Sequence, residues 1–222
     1  MVRNEFTFPS ADGKTSIHAV EWLPEGDVRA VLQISHGVAE YILRYEPFAE
    51  YLTARGFAVA GHDHLGHGGS VAEGAARLYF GPRGSWNWVV DDIYTRRQLA
   101  GRRFPGVPYF LLGHSMGSFL ARTYLIRYPG TVDGAVIMGT GQQSPALIAG
   151  GKAIAAEESA RIGEDKGSPV VEKLAFGAYN KCFAPNRTVN DWLSVSTENV
   201  DRYLADPLCG GTPTSGLFRE QE

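Results

Sequence analysis

The chain has 222 residues, 44% of them hydrophobic, and a formal net charge of -3 from 21 Lys and Arg against 24 Asp and Glu. That suffices for one domain with a sizeable core, or one domain with an insertion, and gives no electrostatic case for nucleic acid. Met1-Val2-Arg3-Asn4-Glu5 lacks an apolar signal core, no run approaches the roughly 18 apolar residues of a membrane span, and two cysteines, Cys182 and Cys209, are too few for a disulfide framework, so free thiols and a cytoplasmic location are expected.

In chain order, Glu5 to Phe8 and Thr15 to Trp22 alternate as two antiparallel strands around an Asp12-Gly13 turn. Ala30 to Ile34 forms a strand that ends at Ser35-His36-Gly37. A helix from about Arg44 to Arg55 stops at Gly56, a C-cap residue type. Phe57 to Ala60 is a short buried strand running into His62-Asp63-His64. Ser85 is placed to cap a helix from Trp86 to about Arg103, which Pro105 halts. Arg96, Arg97, Arg102 and Arg103 in that helix form a solvated face balanced in part by Asp91 and Asp92. The apolar run Pro108-Tyr109-Phe110-Leu111-Leu112 is a strand, and the segment after it puts Met116, Leu120 and Tyr124 on one helical stripe up to Pro129-Gly130. Gly134 to Met138 is another strand.

From about Gln142 the pattern turns helical throughout. Ser144-Pro145 opens a helix carrying Leu147, Ile148, Ile154, Ala155 and Ile162, and a polar break follows from Gly163 to Ser168. Helical pieces are expected over 169–182, 188–195 and 197–205, with no strand among them. The expectation is an α/β fold: a mostly parallel sheet flanked by helices over 1–141, then a helical cap over 142–222.

The chemistry gathers where the parallel strands end, which is where such sheets bind ligands. Gly113-His114-Ser115-Met116-Gly117 is a G-x-S-x-G sequence with a strand before it and a helix after it, the layout of a nucleophile elbow. Serine on so tight a turn is strained, and glycines two positions either side avoid collision. The hydroxyl of Ser115 then stands at a helix start, where the amide of Met116 can donate to an oxyanion. A second donor is expected from the loop His36-Gly37-Val38, through the amide of Val38, with His36 as a structural hydrogen-bonding residue. His62-Asp63-His64-Leu65-Gly66-His67 has the H-x-H-x-x-H spacing of a metal motif, but Gly66 stands where that motif needs aspartate, so no metal and no cofactor is expected. Asp63 and its histidines are instead expected to brace backbone amides beside the catalytic rim, and His114 to be a packed support.

Together these residues resemble the monoglyceride lipase and lysophospholipase branch of the α/β-hydrolases, the serine aminopeptidase-like hydrolases. The likeness rests on Ser35-His36-Gly37-Val38-Ala39-Glu40, Arg44-Tyr45, Gly61 to Ser70, Pro105 to Pro108 and Leu111 to Gly117, and covers roughly 1–140. Two departures stand out: Ala39, where the eukaryotic lipases usually have glycine, and Ser118, where a third glycine is usual. The resemblance implies a serine hydrolase that attacks monoacylglycerol-like, lysophospholipid-like or small acyl esters through an acyl-enzyme on Ser115. Peripheral contact with lipid surfaces goes with that substrate class. Nothing in the sequence sets an oligomeric state.

The resemblance also implies an acid and then a histidine after the serine. All six histidines precede Ser115, and Asp165, Asp191, Asp201 and Asp206 lie in cap-like sequence. The expectation is therefore a truncated hydrolase, inactive alone, whose acid and histidine lie beyond Glu222. The competing readings are a non-catalytic binding protein on a hydrolase scaffold and an amide or peptide hydrolase of the same fold.

Overall fold

The computed structural model describes residues 1–220. Six strands form one sheet in the order β1-β2-β4-β3-β5-β6: β1 Val2–Pro9, β2 Ser16–Leu23, β3 Ala30–Ser35, β4 Phe57–His62, β5 Tyr109–His114 and β6 Gly134–Met138. β1 and β2 run antiparallel, β2 is antiparallel to β4, and β3 to β6 are mutually parallel.

The central strands are apolar because both faces are covered. Alternate residues supply the two faces. Leu32, Ile34, Val59 and Leu112 meet Ala49 on one side, in α1 Glu46–Thr53. Leu111 and Ala19 meet Val89, Val90 and Ile93 of α2 (Trp86–Arg103) and Leu120, Ala121 and Tyr124 of α3 (Met116–Arg127) on the other. Gln33 is a buried polar residue on that face; its amide donates to Ile93 O at 3.0 Å and its carbonyl accepts from the Tyr109 hydroxyl at 2.6 Å, so nothing is left unpaired.

Local chemistry departs from expectation in four places. Arg96 and Asp92, expected on a solvated face of α2, are each 1% exposed: Arg96 donates to Gly61 O and Val20 O, and Asp92 accepts from the Ser10 hydroxyl and Ala11 N. The helix expected over 44–55 begins as a 3-10 turn, Ile42–Tyr45, before α1. Ser85 does not cap α2: its hydroxyl bonds Gly81 O, and the carboxylate of Glu220 accepts from Gly84 N at 2.7 Å and Trp86 N at 3.4 Å instead. An acid suits that position because the first amides of a helix have no partner inside it. The helix expected over 188–195 shrinks to a 3-10 turn, Asp191–Leu193, because the Asp191 carboxylate accepts from Arg187 N and Thr188 N and so holds a turn.

The later helices are α4 Pro145–Ile162, α5 Pro169–Phe176, α6 Thr197–Ala205 and α7 Ser215–Glu220. Ser144, Ser168 and Ser196 cap α4, α5 and α6 through their hydroxyls. α7 returns to the sheet's helix layer, where Leu217 is fully buried in the same cluster as Val89 and Leu120. Among the described residues no helix is long and apolar enough to cross a membrane, and Cys182 (exposed) and Cys209 (buried) are free.

Candidate active site

Strand order reverses around β3, with β4 on one side and β5 on the other. The carboxyl ends of these strands lie level, since Ser35 pairs with Gly113, and His114 with Met138. The loop after β3 and the turn after β5 therefore emerge side by side.

Ser115 sits on that turn at φ 52°, ψ -120°, a left-handed conformation that costs a non-glycine residue about 1–3 kcal/mol. The surroundings enforce it. Ser115 N donates to Met138 O at 2.9 Å, and Ser115 O accepts from Ser118 N at 2.8 Å and from the Ser118 hydroxyl at 2.6 Å. Close packing accounts for both flanking glycines. A Cβ on Gly117 would lie 2.0 Å from Ser35 O, and one on Gly113 would lie 2.3 Å from Gly117 O. Met116 and Gly117 open α3, so their amides are among those without a partner inside the helix.

The β3 loop is packed directly against the serine. A Cβ on Gly37 would stand 3.3 Å from Ser115 Cβ and 3.2 Å from His114 Nδ1. His36, Gly37, Ala39 and Glu40 are buried, whereas Val38 and Ser115 are half-buried and face outward in part. Ala39, at the usual glycine position, has φ 57°. Its carbonyl accepts from Gly210 N at 2.9 Å and from the Tyr203 hydroxyl at 3.1 Å, which ties the loop to the helical region.

Glu40 has no role assigned by the sequence reading, yet it is the hub of the rim. Its Oε1 accepts from Gly37 N at 2.6 Å and the Tyr45 hydroxyl at 2.9 Å and faces His114 Nδ1 at 3.1 Å; Oε2 accepts from Arg44 at 2.8 Å. Burial pushes its pKa up, but the His114 bond and the positive neighbours outweigh it and hold the carboxyl down at about 2. The only sequence signal was the spacing Glu40-x-x-x-Arg44-Tyr45, one helical turn. His114 is thus a hydrogen-bonded partner of Glu40 and Tyr45 rather than a merely packed support, and its side chain is 37% exposed.

Asp63 braces the neighbouring loop. It accepts from Ile42 N and Gly69 N and bonds His18 Nδ1 at 2.9 Å. That bond, joined by Glu5, lifts His18 to about 9. His36, His62, His64 and His67 are all buried at 0–1% exposure. Burial depresses the basicity of each, with His62 and His67 at about 3, so these rings are neutral. No group of three His, Cys, Asp or Glu among the described residues is arranged to hold a metal ion.

The family model "Serine aminopeptidase, S33" matches residues 26–221. The chain belongs to this family. It is an α/β-hydrolase of the monoglyceride-lipase-like branch. Monoacylglycerol lipase of Mycolicibacterium smegmatis is 33% identical over 157 residues, covering 68% of this chain and 54% of that protein. Human monoglyceride lipase is 34% identical over 128 residues, covering 58% and 39%. The chain thus spans about half or less of the length of these curated relatives. A thermostable carboxyl esterase from Bacillus coagulans, solved with glycerol, superimposes on all of this chain and 72% of its own, with a TM-score of 0.86 and 25% identity.

Proposed function

We propose that this chain is the nucleophile-bearing part of a serine hydrolase that cleaves carboxylic esters, of monoacylglycerol, lysophospholipid or small acyl type. The observation that carries the reading is Ser115 at φ 52°, between two glycines that cannot bear a Cβ and directly against the β3 loop. In this reading the Ser115 hydroxyl attacks the ester carbonyl, and the amides of Val38 and Met116 hold the oxyanion. Removing one such donor costs about 10²–10³ in rate. The helical region 142–220 covers the acyl chain, with Leu147 and Ile148 as apolar surface for it and for lipid.

A base is still required. Five of the six histidines are hydrogen-bonded elsewhere, His62 is buried against Phe8 and His64, and among the described residues none is hydrogen-bonded to the Ser115 hydroxyl. In this reading Ser115 is a nucleophile without its base and orienting acid. That same observation favours one second reading, a non-catalytic binding protein on the hydrolase scaffold.

The test is hydrolysis of mono-oleoylglycerol and p-nitrophenyl butyrate by the chain and by Ser115→Ala, with an aminoacyl p-nitroanilide in parallel. The expected result is residual ester hydrolysis of roughly 10³–10⁴ over water, supplied by the oxyanion donors and binding and so little changed in S115A while the base is missing, with no preference for the amide. A rate no higher than that in water, or faster amide cleavage, would overturn the proposal.

A further inference from the structure

Four imidazoles are packed beneath the rim, and the proposed chemistry uses none of them. His36 lies with its ring centroid 4.3 Å from that of His64 and 5.4 Å from that of His67. His62 meets His64 edge-on at 5.0 Å. Such a cluster is costly. Both ring nitrogens of His62, Nδ1 of His64 and Nε2 of His67 have no hydrogen-bond partner among the described residues. Only His36 has both ring nitrogens engaged, and both of its bonds go to backbone. Nδ1 lies 2.8 Å from Gly37 O, and Nε2 accepts from His64 N at 3.0 Å.

These two bonds fix one form of the ring. A carbonyl can only accept, so Nδ1 carries the proton; an N–H can only donate, so Nε2 is bare. The neutral Nδ1–H tautomer alone satisfies both. Its two partners belong to different loops, since Gly37 follows β3 and His64 follows β4. The clasp is closed a second time by the Ser35 hydroxyl, 3.0 Å from His64 Nε2. Gly37 in turn packs on Ser115, and its peptide leads into Val38.

We propose that His36 is a positioning residue: its neutral Nδ1–H tautomer clasps the β3 loop to the β4 loop and so sets the Val38 amide against Ser115. This deepens the ester-hydrolase reading above and rests on it. A proton added at Nε2 would aim two N–H groups at each other and open the clasp. The charged groups that face the cluster are divided. Asp63 and Glu40 would favour a charged His36, whereas His114 opposes it; Arg96 opposes charge on His62, and Arg77 on His67. Burial decides the balance for the neutral ring, as it does for the other three.

The experiment uses the 222-residue chain. Long-range ¹H–¹⁵N correlation of the imidazoles at pH 7.5 reads the tautomer, and amide hydrogen exchange reads the His64 N–H. Three variants divide the clasp. H36N keeps a donor at the δ position, H36Q keeps an acceptor at the ε position, and H36F keeps only the ring shape. The His64 amide should exchange at the wild-type rate in H36Q and at least tenfold faster in H36N and H36F. Ser115 labelling by a fluorophosphonate should slow at least tenfold in H36F, and in wild type it should fall with pH as the His36 ring titrates. An Nε2–H tautomer or a charged His36 ring at pH 7.5 would overturn the proposal, and that measurement decides even if every variant misfolds. So would unchanged exchange and labelling in H36F. A wild-type chain with the Nδ1–H tautomer that labels other serines as fast as Ser115 would instead contradict the hydrolase reading and leave the clasp standing.

Discussion

In the sheet half, Ile17, Val20, Trp22, Val31, Ile34 and Val59 are fully buried, whereas along the cap Leu147 is 65% exposed, Leu174 61%, Val189 77% and Val195 100%. The polar groups differ in the same way. The sheet half buries Gln33, Asp63, Glu40 and Arg96 and pairs them across distant elements. The cap satisfies its helix ends with serines three residues away. It is tied to the sheet half at several points, among them Tyr203 and Gly210 to Ala39 O, Tyr41 to Asp206, Arg77 to Pro207 O and Leu208 O, Tyr79 to Glu164, Thr214 to Leu78 O and Gly84 N to Glu220. The contrast teaches where precision is needed. The half that holds the serine is over-determined by long-range contacts, and the cap presents apolar surface on locally stabilised helices.

The largest test of this contrast is acid. All six histidines lie in the sheet half. His36, His62, His64 and His67 are depressed in the fold, so below pH 6.5 the unfolded chain binds protons that the folded chain refuses. Stability from these rings is present above pH 6.5 and is lost as pH falls toward their folded values. Burial lifts Asp92 to about 7, and that one group works the other way, gaining stability as pH falls from 7 to 3.8. The four rings outweigh the one carboxyl, so net stability falls as pH drops below 6.5. Urea titrations at pH 7, 6 and 5.5 would measure it, and a flat profile would mean that the rings are hydrated or charged.

Leu217→Ala should cost about 3–4 kcal/mol by denaturation, because the residue is fully buried, while Leu174→Ala should stay within about 0.5 kcal/mol. Equal effects would erase the distinction between α7 and the rest of the helical region. Gly117→Ala drives a methyl to 2.0 Å from Ser35 O and should destabilise by about 3 kcal/mol. Ser196→Ala removes the cap of α6 and should cost about 1 kcal/mol. Gly151→Ala is the smallest change and has the opposite sign: its Cβ meets nothing within 4 Å inside α4, so it should stabilise by about 0.5–1 kcal/mol.

What could be read in the sequence follows the same division. β5, Ser115 and α3 are legible because the apolar run, the glycine spacing and the helical stripe are contiguous. The strands β3 and β4 are legible because burial on both faces leaves apolar runs; β6 is legible from its apolar run Ala135 to Met138, although Val136 is 49% and Met138 44% exposed. The cap of α2 is not, since Glu220 lies 136 residues from Gly84 and nothing local marks the pairing. The hub at Glu40 is hidden for a related reason: its meaning depends on His114, which arrives through the sheet. The turn at Asp191 is missed because a helix-like apolar pattern lost to a carboxylate that holds its own preceding amides.

The central claim is that the sheet half alone presents a serine oxygen to two main-chain donors. A fluorophosphonate probe, with the adduct mapped by mass spectrometry, tests it most directly. With no base beside the serine, the expected result is slow modification confined to Ser115, abolished in S115A and in acid-unfolded protein. A folded chain that reacts as fast at other serines, or as fast in S115A, would contradict it.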